Sequence, residues 1–261
     1  MKKVSAVLIS FNEQEKIARA LSSLQGVADE IIVVDSRSTD RTRQICRPFT
    51  DRVIERAWPG YRQQKQFATD QASHQWVLSL DCDEELSPAL RRELTAWKTS
   101  SDPDPDGYFI PRLTWFMGRW IRHTTWHPDW QLRLFRPSQG KWKGGRVHES
   151  FRVDGLTARL QNPIQHYTYS DFSEYLQQLD RFSALAAADA HDAGKRAGLG
   201  RLVVSAPLSF VKNYFVKRGF LDGMPGLAVS ALAAVSTLFK HLKLWELEQA
   251  PTESPSGDRS S

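Results

Sequence analysis

The chain has 261 residues, with 35 Lys and Arg against 30 Asp and Glu and a hydrophobic share of 41%. That size and balance allow one large packed domain with an appendage, and they exclude a disordered or low-complexity protein. The only cysteines, Cys46 and Cys82, have neither redox nor metal-ligand spacing, which excludes a disulfide scaffold and points to a reducing, cytoplasmic setting.

Val4 to Ser10 predicts a first strand, too short and too soon followed by Asn12-Glu13 to be a signal peptide. Glu13 to Leu24 carries helical spacing, with Ile17, Ala20, Leu21 and Leu24 on one face. Strand Glu30 to Val34 leads into the polar turn Asp35 to Asp40, and a helix follows through Thr42 to Cys46. Arg52 to Glu55 is a third strand, Gln63 to Ala72 a helix with Phe67 inward, and Trp76 to Leu80 a fourth strand. Ser87-Pro88 opens the next helix by Ser capping and Pro in the first turn. This alternation predicts an α/β fold with a parallel sheet covered on both faces, whose ligands bind beyond the carboxyl ends of the strands.

A Pro-rich connection, Ser100 to Gly107, precedes two more predicted strands, Tyr108 to Leu113 and Gln131 to Phe135. Ser170 to Ala190 predicts a helix. Ala197 to Leu244 predicts apolar, partly amphipathic helices broken around Gly219 and Gly223-Met224-Pro225-Gly226, with no stretch marked as a membrane span. From Arg196 to Lys243 there are seven Lys and Arg against a single acid, Asp222, a bias that favours an anionic membrane surface. Basic residues interleaved with buried-type apolar ones argue against nucleic acid. Residues 249–261 predict a mobile tail. The nine tryptophans divide between core and a surface for sugar or lipid in a way that spacing does not reveal.

The acids at strand tips carry the chemistry. Leu78-Ser79-Leu80-Asp81-Cys82-Asp83 is an apolar strand ending in two carboxylates, which repel one another unless a cation lies between them. Hard divalent ions such as Mg²⁺ and Mn²⁺ take oxygen ligands and bridge to phosphate-bearing substrates. Asp83 is the expected metal ligand, and Asp81 the expected contact to a ribose or, through water, to the ion. Asp35, with Ser10, Asn12 and Glu13 at the end of the first strand, lies where a nucleotide would bind. Lys65, with Arg62 nearby, offers charge for a diphosphate. No Gly-rich phosphate loop occurs, which counts against dehydrogenases and P-loop enzymes.

Two later stretches supply candidates for proton transfer. In His127-Pro128-Asp129-Trp130-Gln131-Leu132-Arg133, an acid among aromatics suits a base for a sugar hydroxyl, and Arg133 and Arg136 suit phosphate or the sheet edge. In Gly144-Gly145-Arg146-Val147-His148-Glu149, His148 is a further candidate metal ligand and Glu149 the competing base. His166 is a weaker instance of the same metal-ligand pattern and reads first as packing or phosphate-binding. Each acid has a plain alternative as a helix cap or as half of a surface ion pair.

Val7 to Glu13, Val33 to Ser36, Ser38 to Asp40 and Leu80 to Glu84 together resemble the family 2 glycosyltransferases. Trp130 to Arg136, Val147 to Glu149 and His166-Tyr167 resemble, more narrowly, bacterial lipopolysaccharide core β-1,4-glucosyltransferases. The resemblance implies a GT-A catalytic domain over residues 1–168, with donor side 1–100 and acceptor side 101–168, then a helical region 169–248. It implies an inverting transfer of one sugar, glucose from UDP-glucose, to the inner-core heptose of lipopolysaccharide, with Mg²⁺ or Mn²⁺. Asp35 is then the uracil contact, Asp81 the ribose-side acid, Asp83 the metal ligand and Asp129 the base, with Glu149 as its rival. The implied location is the cytoplasmic face of the bacterial inner membrane, held peripherally. The competing readings are a family 2 enzyme acting on a polyprenyl-linked or capsule precursor, and an inactive nucleotide- or glycan-binding module.

Overall fold

The computed structural model describes residues 1–144, 149–169 and 171–249, so most of the predicted tail lies outside the described residues. The chain divides into two compact units, Met1–Arg122 with Trp126–Thr168, and His123–Thr125 with the chain from Tyr169 onward.

In the first unit the elements run β1 (Val4–Ser10), α1 (Ile17–Leu24), β2 (Glu30–Asp35), α2 (Thr42–Cys46), β3 (Val53–Glu55), α3 (Tyr61–Asp70), β4 (Trp76–Ser79), β5 (Glu84–Leu86) and α4 (Pro88–Thr99). They continue through β6 (Gly107–Phe116), β7 (Arg119–Ile121), β8 (Asp129–Phe135), β9 (Gly140–Lys143), β10 (Ser150–Val153), β11 (Thr157–Arg159) and β12 (Ile164–His166). Ten strands form one sheet in the order β3-β2-β1-β4-β8-β6-β12-β5, with β7 and β11 both on β6; β9 and β10 make a separate ribbon.

The sheet is mixed, which corrects the expectation of a parallel one. β3, β2, β1 and β4 are parallel, as their helical crossovers require, but β8 enters antiparallel to both β4 and β6. After α4 the strands are joined without α-helices, and there β8 runs antiparallel to β6 while β11 and β12 pair with it in parallel. β5, β7 and β9 to β12 are short strands that carried too few alternating residues to be predicted.

Alternation along the central strands places two apolar layers. Val4, Ala6 and Leu8 of β1, Ile31 and Val33 of β2, and Trp76 and Leu78 of β4 join one core with α1 and α4. The opposite-facing Val7, Ile32, Val34 and Val77 join another with Ala68 of α3, Trp142 and Phe151. The same parity sends Ser10 and Asp35 toward the α1 side and Asp81, just past β4, toward α3.

α1 begins four residues later than predicted. Asn12 takes a left-handed φ of 55°, and the N–H groups of Asn12, Glu13 and Gln14 go to the side chains of Ser38, Thr42 and Asp40 instead of starting a helix. α4 begins as predicted, with Ser87 Oγ accepting from Leu90 N at 3.1 Å. On α3 the buried residues are Gln64, Lys65, Ala68 and Thr69; Phe67 is only half-buried, beneath the Arg56 guanidinium.

The second unit holds α5 (Phe172–Asp192), α6 (Leu199–Val211), a π-helical turn Lys212–Val216, a 3₁₀ turn Gly219–Asp222 and α7 (Gly223–Gln249). Asp171 caps α5 by accepting from Glu174 N at 2.8 Å. The predicted break at Gly223 to Gly226 is instead the first turn of α7, where Pro225 costs no helical hydrogen bond. Gly226 is required there, since a Cβ would lie 1.9 Å from the carbonyl oxygen of Gly219. By length and composition the helical stretch Gly219–Gln249 can cross a membrane, although no span was expected there.

Candidate active site

The site forms at the carboxyl end of β4, where four elements bring charged side chains to one place. β8 lies beside β4 with Leu134 opposite Leu78, so Arg133 comes level with the end of that strand. Its Nη2 donates to Asp81 Oδ2 and to Glu84 Oε1, each at 2.6 Å. On the other side of Asp81, Lys65 of α3 approaches Oδ1 at 3.0 Å and Glu149 Oε1 also at 3.0 Å. Glu149 reaches it because β9 docks on α3: Trp142 Nε1 donates to Thr69 Oγ1 at 2.9 Å and Trp142 N to Gln66 Oε1 at 3.0 Å. Glu149 directly precedes β10, the partner strand of β9.

These residues line a cavity of about 380 Å³ that includes Lys65, Asp81, Arg112, Arg133, Trp142 and Glu149. Burial works against the charges of Asp81, Lys65, Arg112 and Arg133, and their neighbours overcome that penalty. Asp81 stays well below the usual carboxylate range because Arg133 and Lys65 outweigh its desolvation. Lys65 is raised, since Asp81 and Glu149 outweigh both burial and Arg133, and so it remains an ammonium. Arg133 has a buried Nε that no group among the described residues accepts from.

The ion pairs continue. Arg112 and Asp129 are cross-strand partners on β6 and β8, and Arg112 donates to Asp129 Oδ2 from Nε at 2.8 Å and Nη2 at 2.6 Å. Gln131 Nε2 fills Asp129 Oδ1 at 2.6 Å. Arg112 Nη1 also lies 3.6 Å from Glu84. The result is an alternating chain: Glu149, Lys65, Asp81, Arg133, Glu84, Arg112, Asp129. Glu84, almost fully buried at 1% exposure, was not singled out in the sequence. Its position three residues after Asp81 is the signal that marks it, because Glu84 Oε2 accepts from Asp81 N and so closes the acidic turn.

Asp83 faces a different partner from Asp81. β12 pairs with β5 so that His166 lies opposite Glu84, which brings His166 Nε2 to 3.3 Å from Asp83 Oδ2. The backbone supports this arrangement, with Tyr167 N donating to Asp83 O at 2.8 Å. Burial pushes Asp83 upward, but His166 and Lys16 hold its carboxyl below the ordinary value. His166 is buried, within reach of Thr114 and Thr168, and is also the imidazole beside the acid expected to bind metal. His148 and Arg146 lie outside the described residues. Among the described residues no three His, Cys, Asp or Glu side chains cluster as a metal cage. One carboxylate and one imidazole are nonetheless an oxygen and a nitrogen donor of the kind a divalent ion such as Mn²⁺ would accept.

On the opposite side of the sheet, Asp35 is fully buried. Its Oδ1 accepts from Ser10 Oγ at 2.9 Å and Ser38 Oγ at 2.6 Å, and Oδ2 accepts from Ser38 N at 2.8 Å. Asp35 thus binds the β1 and β2 ends together. Asn12 belongs to the same construction, its Oδ1 accepting from Thr39 N at 2.9 Å, while Glu13 contributes its backbone N–H to Thr42. Arg62 is exposed, and Arg136 lies over the Trp76 ring at 5.0 Å instead of joining Arg133.

Residues 5–167 match glycosyl transferase family 2. The chain is 31% identical to an uncharacterized glycosyltransferase of Rickettsia prowazekii, over 95% of this chain and 88% of that one. It is 29% identical to the lipopolysaccharide core biosynthesis glycosyltransferase LpsC of Rhizobium meliloti, over 91% of this chain and 93% of LpsC. Among solved structures, S. aureus TarS 1-349 in complex with UDP aligns with a TM-score of 0.47 at 13% identity, over 97% of this chain and 93% of that one. Over the greater part of its length, then, this chain belongs to glycosyl transferase family 2 and has the GT-A α/β fold.

Proposed function

We propose that this glycosyltransferase moves a single glucose from UDP-glucose to the inner-core heptose of a lipopolysaccharide acceptor, forming a β-1,4 linkage with inversion. The observation that carries the reading is the gathering of Lys65, Asp81, Arg133 and Glu149 around one cavity at the end of β4, beside the Asp83–His166 pair. The similarity to LpsC supports a lipopolysaccharide core acceptor. Such an acceptor is anchored in lipid, so the enzyme works peripherally at the cytoplasmic face of the inner membrane.

Lys65 and the Nε of Arg133 meet the negative charge of the donor diphosphate, while Asp81 orients both cations and faces the ribose side. Asp35, braced by Ser10 and Ser38, shapes the uracil end. Asp83 and His166 would hold Mg²⁺ or Mn²⁺, which when bound supplies positive charge to the departing UDP. Glu149 takes the proton from the acceptor hydroxyl as that oxygen bonds to the anomeric carbon from the face opposite the diphosphate. The bond from the anomeric carbon to the phosphate oxygen breaks with its electron pair going to UDP. Glu149 is preferred over Asp129 because it lines the cavity, whereas both oxygens of Asp129 are held by Arg112 and Gln131.

The test is transfer from a panel of UDP-sugars to truncated core lipid, with chelator controls. Glu149→Gln is expected to lower kcat by about 10²- to 10⁴-fold while UDP still binds. Asp129→Asn is expected to retain transfer within about tenfold of the parent, short of the loss a missing base causes. A dead Asp129→Asn protein beside an active Glu149→Gln protein would reverse the assignment.

A further inference from the structure

The stretch from α6 into the body of α7 is short of acids, and the structure buries the one it has. Between Leu199 and Trp245 the only carboxylate side chain is Asp222. It is 1% exposed, and both oxygens accept from His123, Oδ2 from the backbone N–H at 2.8 Å and Oδ1 facing Nδ1 at 3.0 Å. The surface from α6 to the start of α7 therefore presents cations without anions.

The same surface is apolar. On the two short turns after α6 and the first residue pair of α7, Phe215, Val216, Phe220, Leu221 and Met224 all stand exposed, Val216 and Met224 by about 70%. Lys212, Lys217 and Arg218 are exposed among them. This projection is built, since buried polar groups pin the turns from behind. Asn213, 2% exposed, accepts from Thr125 N at 2.9 Å and Thr125 Oγ1 at 2.8 Å and donates to Ser209 O at 2.9 Å. Thr124 N donates to Lys217 O at 3.1 Å. Ordinary folded surfaces do not hold several large apolar side chains outward on a braced turn without a partner.

We infer that the turn spanning residues 212–224 is a bilayer-insertion surface selective for anionic phospholipid, with its apolar side chains entering the interface and Lys212, Lys217 and Arg218 meeting headgroup phosphates. Charge complementarity decides the occupant. A second copy would bring the same three cations against these three, whereas an anionic headgroup layer neutralises them. This inference rests on the peripheral membrane location proposed above and specifies the surface responsible. It leaves α7 to pack through Val229, Ser230 and Leu232 and to be tied to α5 by Lys243 on Asp180 at 2.6 Å.

The experiment is co-sedimentation of the full chain with phosphatidylcholine vesicles with or without phosphatidylglycerol. Phe215→Ser with Leu221→Ser tests the apolar tip, and Lys212→Gln with Lys217→Gln tests the cations. A polarity-sensitive fluorophore on Val216→Cys reports insertion, and Cys46 and Cys82 are both buried and so shielded from labelling. Expected are binding that requires phosphatidylglycerol, a blue shift of the label on binding, and a loss of partitioning on the order of tenfold or more for each double variant. The inference is overturned if either double variant partitions like the parent, or if the label stays in water while the protein sediments. It is equally overturned if the tip variant instead abolishes a dimer seen by light scattering, or if the protein leaves membranes only in detergent with the label unshifted, as a spanning α7 would require. UDP binding is measured in parallel. Its retention without vesicle binding removes this surface alone, whereas vesicle binding without UDP binding removes the transferase reading and leaves the surface standing.

Discussion

Glu84 is the most exacting test of the charge chain, because this buried anion lies between the buried Arg133 and the partly exposed Arg112. Its Oε1 accepts from Arg133 at 2.6 Å and lies 3.6 Å from Arg112, while Oε2 takes the Asp81 N–H at 3.0 Å. Glu84→Ala leaves the buried Arg133 short of one of its two counter-charges, a loss of about 3–5 kcal/mol. Freeing the Asp81 N–H adds about 1 kcal/mol. That is a large share of the roughly 5–15 kcal/mol by which a whole domain is stable. At about 2–4 °C per kcal/mol for a unit of this size, the midpoint should fall by about 10–20 °C. Glu84→Gln keeps the acceptor for Asp81 N and a neutral bond to Arg133, so its cost should be about half. Urea and thermal unfolding followed by tryptophan fluorescence measure both. An alanine variant within about 1 kcal/mol of the parent, or a glutamine variant as damaged as the alanine one, would refute the shared-anion account.

Asp83→Ala should abolish metal-dependent donor turnover, and His166→Ala should weaken Mn²⁺ binding in the presence of UDP by about tenfold or more, measured by titration calorimetry. An unchanged Mn²⁺ affinity in the His166 variant would return that residue to a packing role. Acid stability follows from the depressed carboxylates. Burial alone would raise Glu30, but bonds from Ser5, Ser73 and Arg52 hold it down at about 2; Asp81 and Asp83 are also lowered. A group whose folded pKa is depressed stabilises fully above its unfolded value and loses that contribution as pH falls through the folded value. Unfolding free energy should therefore be level above about pH 5 and fall steeply from about pH 4 toward pH 2. Glu30→Gln should flatten the lower part of that fall, and a parent protein equally stable at pH 2 and pH 5 would contradict it.

The parallel half of the sheet, the capped start of α4 and the place of the acids at strand ends were legible in the residues themselves. Period-two runs such as Ile31 to Val34, a Ser-Pro helix start and an apolar strand ending in Asp81-Cys82-Asp83 are local signals, because backbone geometry reads neighbours in the chain. The mixed half was not legible, since strands of three or four residues such as β12 are defined only by the partner that satisfies their hydrogen bonds. The pairing of charges was hidden for the same reason. Lys65 and Asp81 are sixteen residues apart, Asp81 and Arg133 fifty-two, and Asp83 and His166 eighty-three, and none of these separations leaves a trace in local spacing. What the sequence determined was the kinds of group the site would contain and the strands that would carry them. What only the tertiary structure decided was which group faces which. That outcome depends on register between distant strands and on the Coulomb energy of charges brought together out of water.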